Sequence, residues 1–421
     1  MNKLVIKACS EILKEHFIKL NPADKQLSNF FRNNHHFGKR DRVYISELYY
    51  GVIRNKRYLI ENINDENPKK LVMIYLVLIL GKSIRELSSF LDKQDLIWLR
   101  EKKSNKVEIT KWAKKLSLPD WLWKKFLEQY GQETSISLAQ SLLLPANLNL
   151  RVNLLKEKDI LKVLNSLISS IPELKNEIIK TNLSPISISL PRGTSIQKNL
   201  LFLDGLVEIQ DEASQIITFL VNPKRGNMVA DFCAGAGGKT LGISAMMKNT
   251  GRVYAFDISD KRLANLKKRL KRSGASNIIP HKIINENDTK IKRLRNKFDR
   301  VLVDAPCTGL GTLRRNPDLK WKHSLESLNE LNIKQNLIIN SASKLCKVGA
   351  NLIYATCSLL KEENEDIVDN FLLKNKNFRI LSPNSVFTKY GIPLNSDKYI
   401  KLTPDEHKTD GFFSVILERF E

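Results

Sequence analysis

The sequence has 421 residues, 42% of them hydrophobic, and carries 69 Lys and Arg against 45 Asp and Glu. That length predicts two or three domains, and the apolar share is enough to build real cores, which argues against a disordered chain. The formal net charge of +24 points to a polyanionic partner such as nucleic acid, although the codons of an AT-rich genome would also enrich Lys, Asn and Ile.

In chain order, residues 1–135 read as all-helical. Ile45, Leu48, Tyr49, Val52 and Ile53 recur with the spacing of one helix face turned to a core. Leu71–Leu80 is apolar all round, which suits a central helix. Lys39, Arg40, Arg42, Arg54, Lys56 and Arg57 flank the first stripe and read by default as a solvated face, with RNA contact as the alternative. Residues 140–205 change texture, with alternating runs at Asn147–Asn153 and around Ile186, Ile188 and Leu190, and a helical stretch at Ile160–Ile168; a small α+β module is expected there.

Residues 206–421 alternate strand and helix. Strands are predicted at Met228–Cys233, Arg252–Asp257, Asn277–Ile283, Phe298–Ala305 and Ala350–Thr356, with helices including Asp260–Ser273 and Leu325–Leu345. This alternation predicts a mostly parallel, doubly wound α/β sheet. Arg379–Leu381 and Phe412–Leu417 are expected to add an antiparallel edge.

Five cysteines, Cys9, Cys233, Cys307, Cys346 and Cys357, are odd in number and scattered. That fits a reducing compartment better than a disulfide framework. With no CxxC pair and few histidines, no metal site is expected. Met1–Lys7 lacks the apolar core of a signal peptide, and Leu71–Leu80 is too short to span a bilayer. A soluble, cytoplasmic protein without a membrane partner is the expectation.

The first strand of the α/β region runs into Asp231-Phe232-Cys233-Ala234-Gly235-Ala236-Gly237-Gly238-Lys239-Thr240. Glycines allow a tight turn and close backbone approach, and the helix that follows offers free N–H groups to a cofactor. An acid at the end of the next strand should hold a ribose hydroxyl, and Asp257 stands there. Gly238-Lys239-Thr240 also invites reading as a phosphate-binding loop. That pattern needs glycine at position 233, which is Cys233, so the loop cannot wrap a phosphate in the usual way.

Cys307 in Asp304-Ala305-Pro306-Cys307 and Cys357 in Thr356-Cys357-Ser358 each follow a predicted strand. Ligands of open α/β sheets bind outside the carboxyl ends of the strands, so the two thiols should share one crevice. Carbon 5 of cytosine is a poor nucleophile until a thiolate adds to carbon 6, and a second thiol could assist release of the product. Asp304 is placed to relieve charge near N3 and N4 of such a pyrimidine. Cys9 and Cys346 read as buried packing, and Cys233 as packing beside the loop.

Gln210-Asp211-Glu212-Ala213-Ser214-Gln215, Asp231–Thr240, Asp304–Cys307, Arg314-Arg315-Asn316-Pro317-Asp318-Leu319-Lys320-Trp321, Thr356-Cys357-Ser358 and Asp410-Gly411-Phe412-Phe413 occur in the order found in the RNA cytosine-C5 methyltransferases. The chain resembles the bacterial RsmB/Fmu (Sun) branch of that family, which acts on small-subunit 16S ribosomal RNA. Arg42–Tyr58 looks like part of a NusB-type RNA-binding domain. The resemblance implies S-adenosylmethionine as the small-molecule methyl donor, held by Cys233, Ala234, Gly235, Ala236, Gly237, Gly238, Lys239, Asp257 and Asp304, with one further acid after the third strand. For that acid an ungapped count reaches Asn285 and a short gap reaches Asp288, which is preferred. It makes Cys357 the nucleophile and Cys307 the group that aids release; the residues alone leave the two thiols interchangeable.

The implied protein has three parts, a NusB-like domain (1–135), an RNA-positioning module (140–205) and a Rossmann-like methyltransferase domain (206–421), acting as a monomer on ribosomal RNA. Arg314, Arg315 and Lys320 are expected at the RNA. The alternatives are the same chemistry on transfer or large-subunit (23S) RNA, or a non-catalytic RNA-binding assembly factor.

Overall fold

A computed structural model describes residues 2–19, 21–105 and 107–421; Met1, Leu20 and Lys106 lie outside the described residues. Two compact units emerge, one of residues 1–144 with 312–324, the other of residues 145–311 with 325–421.

In the first unit, described regular structure is helical. The long helix Lys39–Ile63 buries Ile45, Leu48, Tyr49, Val52 and Ile53, the whole predicted stripe. Helix Pro68–Leu78 starts with proline in its first turn and the Asn67 side chain accepting from the Lys69 and Lys70 amides, and it buries every residue from Leu71 to Val77. The helix ends at Leu78, and Ile79 and Leu80 are exposed, so the apolar run outlasts its buried part.

The flanking basic residues do not form one solvated face. Arg54 is buried, Lys56 lies over the Phe17 ring, and Arg57 donates to the Leu118 carbonyl and pairs with Asp120.

Among the described residues the second unit holds twelve strands. Four, β1 (Leu148–Val152), β2 (Ile179–Lys180), β3 (Ser187–Leu190) and β4 (Val207–Ile209), form an antiparallel sheet in the order β2-β3-β1-β4. Because β4 pairs with β1, the small sheet extends past residue 206. Buried Glu208 of β4 accepts from Arg269 and Arg272 on helix Asp260–Ser273, and Asn153 donates to the Ser273 carbonyl. These bonds tie the module to the larger sheet.

The larger sheet contains β5 (Met228–Asp231), β6 (Arg252–Asp257), β7 (Ile278–Lys282), β8 (Phe298–Asp304), β9 (Cys346–Thr356), β10 (Phe378–Leu381), β11 (Ile400–Leu402) and β12 (Phe412–Arg419). Its order is β10-β12-β9-β8-β5-β6-β7, with β11 on β12. Strands β9, β8, β5, β6 and β7 are parallel, while β12 and β10 add the antiparallel edge. Among the parallel strands sequence order runs outward from β5 in both directions, so the crevice between β5 and β8 is the topological switch point where such sheets bind ligands.

Candidate functional site

A cavity of about 580 Å³ opens at that switch point. The turn after β5 forms one wall. Gly237 caps helix Gly238–Met246 with φ +83°, a left-handed conformation that favours glycine. Asp257, at the end of β6, accepts from the Gly235 amide at 2.8 Å through one oxygen and from the Ser259 amide at 2.8 Å through the other. Lys239 reaches across to Asp304 at 2.7 Å and lies 5.0 Å from the Phe412 ring centre.

Asp231 is buried, and Thr240 Oγ1 donates to its Oδ2 at 2.6 Å. Burial pushes its carboxyl up to about 7, while the Thr240 hydroxyl opposes the shift. Its Oδ1 lacks a hydrogen-bond partner, and the residue lines the cavity. Ile258 and Ile284, exposed although apolar, also line it. A carboxylate oxygen needing a donor, an acid at the end of the second strand and an apolar rim fit an amino-acid nucleoside such as S-adenosylmethionine.

Of the predicted cofactor residues, Cys233, Ala234, Gly235, Ala236, Gly238, Lys239, Asp257 and Asp304 line this cavity. Asp288 does not: its carboxylate caps helix Thr289–Arg293, accepting from the Lys290 and Ile284 amides at 2.9 Å each. Asn285 and Glu286 line the cavity in its place. Asp288 sits at the start of that helix, where free backbone amides draw its carboxylate away from the cavity. Burial pushes the Cys233 thiol up, which keeps it protonated and inert.

The two predicted thiols meet. Strands β8 and β9 are adjacent and parallel, and the loops at their carboxyl ends bring Cys307 Sγ and Cys357 Sγ to 3.4 Å, within hydrogen-bonding distance. Pro306, just before Cys307, lines the cofactor cavity. The hydrogen bond with Cys357, together with burial, pushes the Cys307 thiol well above the ordinary range. None of the cysteines forms a disulfide, and no group of metal-ligating side chains occurs among the described residues.

Lys320 departs from expectation. It is buried, donates to the Arg54 carbonyl at 2.7 Å, and burial pushes its ammonium well below the usual lysine range. The neighbouring Trp321 indole donates to the Ile53 carbonyl at 2.9 Å, and Arg54 donates to the Arg314 carbonyl at 2.9 Å. This stretch is therefore packing within the helical unit, and Lys320 is unavailable to RNA. Sequence reasoning also missed Arg151, a buried residue of β1 that donates to the Gln210 side chain and, at 2.6 Å, to the Gly238 carbonyl. No local pattern links a strand of the module to the cofactor turn.

Residues 218–418 match the family described as 16S rRNA methyltransferase RsmB/F. The chain is 31% identical over 302 residues to the probable ribosomal RNA small subunit methyltransferase B of Bacillus subtilis, a match covering 72% of this chain and 66% of that protein. It is 28% identical over 318 residues to the mouse 28S rRNA (cytosine-C(5))-methyltransferase, covering 72% of this chain and 39% of that one. The chain thus spans just under two thirds of the first relative and about two fifths of the second. Residues 218–418 are an RsmB/F-type domain. The solved structure of PH0851, 24% identical, superposes with a TM-score of 0.80 over 99% of both chains and shares the fold. The matched methyltransferase domain is built on a Rossmann-like sheet. No helix of the described residues is long and apolar enough to cross a membrane.

Proposed function

We propose that the protein transfers a methyl group to C5 of one cytosine in small-subunit ribosomal RNA through a covalent bond between Cys357 and C6. The observation that carries this reading is the pair of sulfurs 3.4 Å apart beside the switch-point cavity. S-Adenosylmethionine, when bound, supplies an electrophilic methyl group. Asp257 and Asn285 would hold its nucleoside, the glycine turn and Asp231 its amino-acid end.

The Cys357 thiolate would add to C6, giving C5 enamine character, so that the C5 electron pair could accept the methyl group that the bound donor would supply, the old methyl–sulfur bond breaking toward sulfur. The C5 proton then departs to water, the C6–S bond breaks toward sulfur, and the ring double bond returns. Cys307, held as a thiol, donates a hydrogen bond to the departing sulfur and eases this elimination. Asp304, bonded to Lys239, would steady the pyrimidine edge.

The NusB-like helical domain and the small module would position the RNA, the net charge of +24 favouring the polyanion, with the protein a cytoplasmic monomer. The mouse relative's name keeps large-subunit RNA as the second reading of the substrate.

The test pairs two variants on ribosomal RNA with S-adenosylmethionine. Cys307→Ala should accumulate a denaturant-resistant protein–RNA adduct and Cys357→Ala should form none, while bisulfite sequencing of the wild-type product finds one protected cytosine in the small-subunit RNA. The reverse adduct pattern would exchange the roles of the thiols, and protection only in the large-subunit RNA would move the substrate.

A further inference from the structure

Between the two cysteine loops sits a carboxylate that the chemistry above does not use. Glu363, in the turn after Thr356-Cys357-Ser358, is fully buried. Its Oε1 accepts from the Thr308 amide at 2.8 Å and the Gln335 side-chain amide at 3.0 Å. Its Oε2 accepts from the Thr308 hydroxyl at 2.5 Å and from the Ser358 hydroxyl. Thr308 follows Cys307 and Ser358 follows Cys357, so one side chain grips the residue next to each thiol. Gln335 also donates to the Pro306 carbonyl at 2.9 Å, and the Tyr354 hydroxyl donates to the Glu363 carbonyl at 2.7 Å.

Among the described residues no lysine or arginine pairs with this carboxylate; hydroxyl and amide donors satisfy it. A buried anion without a cation is costly, and a buried neutral amide would not carry that desolvation cost. A glutamine also could not accept all four bonds, because only one of its terminal atoms is an acceptor. Two demands are met at once by a carboxylate here: four acceptor positions joining both loops, and a negative charge beside the pair.

We infer that Glu363 is the positioning residue of the two-thiol site, clamping the Cys307 and Cys357 loops in register and placing a carboxylate beside the pair that distinguishes one sulfur from the other. The inference rests on the two-thiol reading of the reaction. Groups around Cys307 act in the same direction: Cys357 and Glu363 both raise its thiol, and Tyr354, packed against the same cluster, is itself pushed up by burial. The Gly309 amide opposes them weakly.

Three variants separate clamp from charge: Glu363→Gln, which keeps the length; Glu363→Asp, which keeps the charge but is a methylene short of spanning both loops; and Thr308→Val, which removes one hydroxyl arm. Peptide-resolved alkylation by iodoacetamide as a function of pH reports the Cys307 thiol without needing RNA or turnover. In Glu363→Gln the alkylation midpoint of Cys307 should fall by about one pH unit, making it roughly tenfold faster at pH 8. In Glu363→Asp the midpoint should stay while kcat drops roughly tenfold at unchanged KM. Thr308→Val should likewise lower kcat with the midpoint retained, and it serves if either glutamate variant fails to fold.

Identical alkylation profiles in wild type and Glu363→Gln overturn the charge role; full kcat in Glu363→Asp or Thr308→Val overturns the clamp. Failure of the two-thiol reading would appear separately, as absence of a covalent adduct in Cys307→Ala with intact Glu363.

Discussion

Gly311→Ala tests how tightly the active-site loops are packed. The Gly311 amide donates to the Cys357 carbonyl at 2.9 Å, and its own carbonyl accepts from the Gly411 amide at 2.8 Å. A Cβ at Gly311 would stand 2.1 Å from the Gly411 carbonyl oxygen and 2.8 Å from that of Cys357. Both obstacles are backbone, so no rotamer change relieves them. Overpacking of this type costs about 1–3 kcal/mol, and weakening two backbone hydrogen bonds adds about 0.5–1.5 kcal/mol each. The sum is about 2–6 kcal/mol. For a unit of this size the expected fall in Tm is roughly 5–20 °C, measured by calorimetry. Displacement of the Cys357 loop should also suppress adduct formation in the Cys307→Ala background. A Tm within about 1 °C of wild type together with a normal adduct yield would refute the close-packing argument, since three backbone segments cannot stay in contact around an added methyl group.

Asp231, pushed up to about 7 by burial, binds its proton more tightly folded than unfolded, where a carboxyl titrates near about 3.9. Its contribution to stability is therefore fully present below about pH 4 and is lost as pH rises toward about 7. The Tm advantage of Asp231→Asn over wild type should accordingly grow between pH 5 and pH 8, and a pH-independent difference would contradict the shift. Lys320→Met should leave the salt dependence of RNA binding unchanged, because the ammonium is buried against the Arg54 carbonyl; a slope reduced by about one, as for a lost phosphate contact, would return Lys320 to the RNA.

Where side-chain pattern and burial coincide, the sequence was legible. Arg252–Asp257 and Asp260–Ser273 occur with the predicted limits, and Phe412–Arg419 and Phe378–Leu381 form the expected antiparallel edge. Apolar runs punctuated by Gly and Asp announce buried parallel strands. The short strands Ile179–Lys180 and Ile400–Leu402 were not read, having too few residues to establish a period. The shared crevice of the glycine turn, Asp257, Asp304 and the two cysteines was legible as a placement, because each follows a strand end and strand ends converge there.

Other features depended on which chain segments meet in space. Only the pairing of β8 with β9 sets Cys307 against Cys357 at 3.4 Å, and only the fold turns Glu363, one acid in the run Glu362-Glu363-Asn364-Glu365, into the buried link between their loops. Asp288 and Lys320 lost their expected parts to a helix cap and a buried carbonyl, because a charged side chain goes where its hydrogen bonds are satisfied and a linear motif does not record that place. Periodicity and residue type are local, so the parallel sheet and the glycine turn at its switch point could be read from the chain alone. Which carboxylate, thiol or cation faces the cavity was decided by tertiary structure alone, since burial and partner distance exist only once distant segments have packed.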